Sequence, residues 1–111
     1  MSVRELVKAA QLELRDGEVL PARARQLLVS LSSLLGNCNE EIRAADAAYA
    51  AVLLAELDKG GKANRAKIAA ECSPEYARKQ EAKNTHALVV EMIRSLKYLM
   101  RSVEEEMRLA R

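Results

Sequence analysis

The sequence predicts an all-α protein, and three observations support this. Apolar residues recur every three or four positions through most of the 111 residues, which is the period of an amphipathic helix. Aromatic residues are few, with three Tyr and neither Trp nor Phe, whereas strands favour aromatic and β-branched residues. No Gly or Pro interrupts residues 75–111. We therefore expect a single domain, residues 1–111, folded as a bundle of four to five helices.

Four shorter helices are expected first, at residues 1–16, 21–35, 39–58 and 62–71. Ser2 and Glu5 match a capping box, in which the two side chains satisfy free backbone N–H groups at the start of the first helix. Pro21 suits the first turn of the second helix. Gly36 is expected to end that helix, because Gly is common just after a helix C-terminus. Asn39 then suits the N-cap of the third helix.

A long amphipathic helix is expected at about residues 74–110, beginning with Ser73 as cap and Pro74 in its first turn. At 1.5 Å per residue, roughly 35 residues would extend about 50 Å. A compact domain of this size has a diameter of about 35 Å. Part of the helix must therefore either project or pack on another chain, and we expect a homo-oligomer that forms through an apolar stripe on this helix. The stripe comprises Val89, Met92, Ile93, Leu96, Leu99, Met100, Val103 and Met107.

Composition and motifs argue against catalysis and against a membrane location. The net charge of +2 is small, so any basic surface must be local. Cys38, Cys72 and His86 could in principle bind zinc, but their spacing matches no zinc signature. No catalytic motif is present, and Glu104 to Glu106 fit a solvated helix face. We expect a non-enzymatic, cytoplasmic protein with reduced thiols, no cofactor, no metal and no membrane contact.

A basic series on the last helix is the candidate binding site. Lys79, Lys83, His86, Arg94, Lys97 and Arg101 recur at steps that place them on one side, and Tyr98 lies one turn from Arg94 and Arg101. Cations attract phosphate or carboxylate groups, and an aromatic ring stacks on bases. The alternative is a solvated face whose charges pair with acids of neighbouring helices. The available acids are Glu40, Glu41, Asp46, Glu56 and Asp58.

Residues 40–111 resemble small helical proteins of tailed bacteriophages, encoded in early or replication regions of the genome. The resemblance rests on Pro74-Glu75-Tyr76, on residues 93–97 (IRSLK) and on Arg101. It implies a phage accessory protein that acts in the host cytoplasm. Two functions fit: binding of an acidic partner, either a host or phage protein or a nucleic acid, or an anti-defence sponge. Such a sponge would sequester a cyclic or other small nucleotide signal between subunits, with Arg94, Lys97, Tyr98 and Arg101 of two chains around the ligand. For either function, the candidate ligand- or anion-binding residues are Arg94, Lys97, Tyr98, Arg101, Lys83 and His86.

Overall fold

The computed structural model describes residues 2–17 and 19–110. These residues form four α-helices and no β-strand: α1 (Val3–Asp16), α2 (Pro21–Asp58), α3 (Ala63–Glu71) and α4 (Pro74–Leu109). The all-α prediction is confirmed. Met1, the predicted start of the first helix, and Arg111, the last residue of the predicted domain, lie outside the described residues.

Two serines cap helices as the sequence predicts. The Glu5 N–H donates to Ser2 Oγ at the start of α1 (3.2 Å), and the Tyr76 N–H donates to Ser73 Oγ at the start of α4 (3.3 Å). Ser73 also donates its hydroxyl to the Ala70 carbonyl, so one side chain satisfies backbone groups of α3 and α4. The turn between α2 and α3 contains Gly60 at φ 80°, a left-handed conformation that favours glycine.

The prediction that Gly36 ends a helix is wrong. α2 continues through residues 36–39, so the helices predicted at 21–35 and 39–58 are one helix of 38 residues. Leu31, Cys38 and Ala45 are all buried, and their spacing of seven residues keeps them on one face of a continuous helix. Burial of this face outweighs the low helix propensity of the Gly-Asn-Cys-Asn segment.

The chain groups into two compact units, and the prediction of a single domain stays a prediction. Unit 1 comprises Met1–Asn37 and Thr85–Arg111, and unit 2 comprises Cys38–Asn84. Large apolar side chains build the core of unit 1, where Val7, Leu31, Val89 and Leu96 are almost completely buried. Burying each such side chain contributes roughly 1.5–3 kcal/mol.

The core of unit 2 consists of small side chains. Its buried apolar residues are Cys38, Ala45, Ala66, Ala70 and Ala82. Small side chains let helix backbones approach closely but bury little apolar area. The ion pair of Glu41 with Arg78 and the contact of Tyr49 with Tyr76 join α2 to the start of α4 within this unit.

Candidate functional site

Four side chains of the predicted basic series form an exposed cluster on α4, called here the α4 patch. It consists of Arg94, Lys97, Tyr98 and Arg101, and all four residues are exposed. Each is three or four positions from two of the others, so neighbouring Cβ atoms lie about 5–6 Å apart on the helix surface. The patch therefore presents three cations around one phenol ring.

The cations of the α4 patch have little competition from acids of the same chain. Arg94 Nη1 lies 2.9 Å from Glu91 Oε1, but both side chains are about 70% exposed, so water screens this pair strongly. In the described part of the chain, Lys97 and Arg101 have no ion-pair partner. Like charges at i,i+4, as in Lys97 and Arg101, cost a helix a few tenths of a kcal/mol unless an anion binds them.

Tyr98 differs from the other two tyrosines. Tyr98 is 75% exposed. Tyr49 and Tyr76 are half-buried and pack against each other, with their ring centroids 5.4 Å apart. The Tyr98 ring contributes nothing to the buried core. Its face and its hydroxyl are accessible to a partner molecule.

The other predicted ligand residues lie outside the α4 patch. His86 is half-buried, so only part of its ring can meet a ligand. Lys83 is exposed but belongs to unit 2, together with Lys79. Lys79 packs inside unit 2 and its side chain is only 22% exposed, so it is not a free cation.

Lys79 belongs to a cluster in unit 2 that the sequence analysis did not predict. Its Nζ lies 4.5 Å from the Tyr49 ring centroid and 3.7 Å from Asp46 Oδ1, while Gln80 donates to the Tyr76 hydroxyl. Nearby, Glu41 accepts from Arg78, and this hydrogen bond lowers the pKa of the Glu41 carboxyl. For Lys79, pairing with an acid of a neighbouring helix is therefore the correct interpretation. The cluster acts as a polar and aromatic seam that links α2 to α4 within this unit.

The predicted oligomer interface divides into buried and accessible residues. Val89, Met92, Ile93 and Leu96 are buried within the single chain, as core residues of unit 1. Contacts within one copy explain their burial, so they offer no surface to a second copy. Leu99, Met100 and Val103 are half-buried, and Met107 is exposed. These four line a small groove with Val19, Pro21 and Ala24, and their role between copies stays a prediction.

The cysteines and the acidic residues provide no metal centre in the described part of the chain. No group of three His, Cys, Asp or Glu side chains lies close enough there to hold an ion. Cys38 is buried, which raises the pKa of its thiol, while Cys72 is exposed. Both thiols are free.

Among residues 2–17 and 19–110, no helix combines the length and the apolar character that crossing a bilayer requires.

Comparisons of the chain with family models, curated proteins and solved structures give no match. The resemblance to phage proteins therefore stays a prediction.

Proposed function

We propose that this protein is a non-enzymatic accessory protein that binds single-stranded nucleic acid through the α4 patch. The observation that carries the proposal is the adjacency of three exposed cations and an exposed tyrosine on one helix face. Lys and Arg neutralise backbone phosphates, and an aromatic ring stacks on an unpaired base. The arrangement supplies both interactions within two helical turns.

Tyr98 favours nucleic acid over an acidic protein helix as the partner. Cations alone are enough to bind carboxylates, and a bulky ring at 75% exposure adds nothing to that contact. Stacking of a base on an aromatic side chain contributes about 1–3 kcal/mol and does not depend on base identity. The guanidinium groups of Arg94 and Arg101 can stack on a neighbouring base in the same way.

Acidic side chains limit the extent of the patch. Glu91 precedes it by three positions, and the exposed residues Glu104 and Glu105 follow Arg101 by three and four. The cationic surface from Arg94 to Arg101 is therefore only about 10 Å long. Dedicated single-strand-binding folds contact about 4–16 nucleotides. We therefore expect one α4 patch to bind a strand more weakly than those folds do and with a strong dependence on salt. Several copies bound to the same strand would strengthen the binding.

The short length of the patch also favours the second candidate function, a sponge for a small nucleotide. One base with one or two phosphates would also fill a surface of this size. Two copies would be needed to enclose a cyclic nucleotide. The resemblance of residues 40–111 to phage proteins supports placing either activity in the cytoplasm of an infected bacterium, as part of replication or of anti-defence.

Fluorescence anisotropy with a labelled single-stranded oligonucleotide tests the proposal. Tyr98→Ala and Lys97→Ala should each weaken binding, because one removes the stacking surface and the other removes a phosphate contact. Both changes place Ala in an exposed helix position, so the fold should tolerate them. Lys67→Ala is the matched control, since Lys67 is an exposed cation of α3 in unit 2.

Two competition measurements separate the partners. An unlabelled acidic peptide that displaces the oligonucleotide at equal charge concentration would indicate a protein partner and contradict the proposal. A cyclic nucleotide that raises the melting temperature, while the oligonucleotide does not, would indicate the sponge. Equal oligonucleotide affinity in wild type, Tyr98→Ala and Lys97→Ala would remove the α4 patch from the function.

A further inference from the structure

The outer face of α2 in unit 2 is apolar and uncovered. Leu54 is 61% exposed and Leu57 is 39% exposed, although both are large apolar residues. The exposed alanines on the same side are Ala44, Ala47, Ala50 and Ala51. Arg43 lies near one end of this face and Asp58 lies at the other, and both are exposed. The residues that the structure describes include no ion-pair partner for either charge. We refer to Arg43, Asp58 and the six apolar residues between them as the outer α2 face.

The outer α2 face has a symmetric sequence pattern about the midpoint between Ala50 and Ala51. At equal distances from this midpoint, Ala47 is matched by Leu54. The same rule matches Ala44 with Leu57. It matches the cation Arg43 with the anion Asp58. Each pair joins a small residue to a large one, or opposite charges, and the centre is two alanines.

This symmetry has a direct geometric consequence for two antiparallel copies of the helix. A two-fold axis through the midpoint, perpendicular to α2, brings each residue opposite its match on the second copy. Each Leu54 then faces an Ala47, where there is room for its side chain, and the central alanines allow the backbones to approach closely. A parallel arrangement would instead place Leu54 opposite Leu54 and Arg43 opposite Arg43, and like charges disfavour it.

The charges also explain an electrostatic feature of α2. Asp58 is the last residue of the helix, and the last turn contains no basic residue. A carboxylate at this end is unfavourable, because the helix dipole is negative at its C-terminus. In the antiparallel pair, Arg43 of the second copy would meet Asp58 and supply the missing cation. Two such contacts form in each dimer.

We propose that the outer α2 face is the contact surface for a second copy of this chain, joined antiparallel about the midpoint between Ala50 and Ala51. From Arg43 to Asp58 the contact is about 22 Å long and one helix wide. A contact of this length and width buries less than the roughly 1,200 Å² of total surface that a standard stable interface buries. The dimer is therefore reversible and forms as the protein concentration rises. It gives the molecule two α4 patches, which would raise its avidity for an anionic polymer.

Sedimentation velocity over a wide range of protein concentration tests the contact by exchange of charges. Arg43→Asp alone, or Asp58→Arg alone, creates two like-charge contacts in each dimer and should weaken dimerisation about ten-fold. The double variant, Arg43→Asp with Asp58→Arg, restores opposite charges and should return the dissociation constant to near the wild-type value. Lys67→Asp on α3 is the matched control and should leave it unchanged.

Leu54→Lys provides a second test that does not depend on the ion pairs. Leu54 is exposed, so the monomer should keep its helical content by circular dichroism, while the dimer is lost because the lysine would face Ala47. The proposal is overturned if wild-type protein stays monomeric at every concentration. It is also overturned if the single charge variants dimerise like wild type, or if the double variant is no better than they are.

Discussion

Gly36 lies in the interior of α2, and replacing it with Ala should stabilise the protein. A Gly inside a helix is about 0.8–1 kcal/mol less favourable than Ala, because its backbone loses more conformational freedom on folding. An added Cβ at Gly36 would have no neighbouring atom within 4 Å, so no steric clash offsets this gain. We expect Gly36→Ala to raise the free energy of unfolding by about 1 kcal/mol.

The corresponding change in melting temperature follows from the size of the chain. Unfolding entropy is about 2.1 cal/mol/K per residue, and a gain of about 1 kcal/mol then raises the melting temperature of a 111-residue protein by about 4 °C. Urea unfolding followed by far-UV circular dichroism measures the free energy, and a thermal scan measures the temperature.

Gly60→Ala is the matched control, with the opposite expected sign. Gly60 has φ 80°, a conformation that costs an L-residue about 1–2 kcal/mol, so Ala should destabilise the protein there. If Gly36→Ala also destabilises, the helix ends at Gly36 in a left-handed conformation, and a continuous α2 is wrong.

Three further predictions concern the core, the ion pairs and the thiols. Leu96→Ala should lower the free energy of unfolding by about 2–5 kcal/mol in urea titrations, because Leu96 is almost fully buried in unit 1; a loss below about 1 kcal/mol would contradict that packing. Arg78→Gln should destabilise only slightly at neutral pH, because water screens an exposed pair. Since the folded pKa of Glu41 lies below its unfolded value, this contribution is present above the unfolded pKa and is lost as the pH falls through the folded pKa; a constant difference down to the lowest pH would contradict the pairing. A thiol reagent should modify Cys72 quickly and Cys38 only after unfolding, since burial protects Cys38 and raises the pKa of its thiol; equal rates in the native protein would contradict the burial of Cys38.

Local signals in the sequence predict the all-α fold class and most of the helix ends. Ser73 and Pro74 mark the start of α4, and the absence of Gly and Pro after them predicts its length, because caps and helix breakers act within one turn. The predicted break at Gly36 is wrong because the preference of Gly for helix ends is weaker here than the gain from burying one continuous face of α2. Leu31, Cys38 and Ala45 keep one buried face in register across Gly36, and the signal for this in the sequence is Cys38, which packs as an apolar core residue.

The candidate site was only partly predictable, because exposure depends on neighbours that are distant in sequence. Lys79 and Lys97 occupy equivalent positions in the basic series, yet Lys79 packs on Tyr49 and Lys97 is exposed. The contacts of Lys79 with Tyr49 and Asp46 of α2 distinguish the two residues. Similarly, Ile93 and Met107 belong to one apolar stripe, but the first is buried and the second is exposed.

The salt dependence of single-strand binding tests the role of the α4 patch most directly. The logarithm of the binding constant falls with the logarithm of salt concentration, with a slope of about 0.7 for each phosphate neutralised on a single strand. Removing Lys97 and Arg101 together by substitution with Ala should therefore reduce the magnitude of the slope by about 1.4. A slope equal to that of wild type, with affinity also unchanged, would show that these cations do not contact phosphate and would contradict the proposed function.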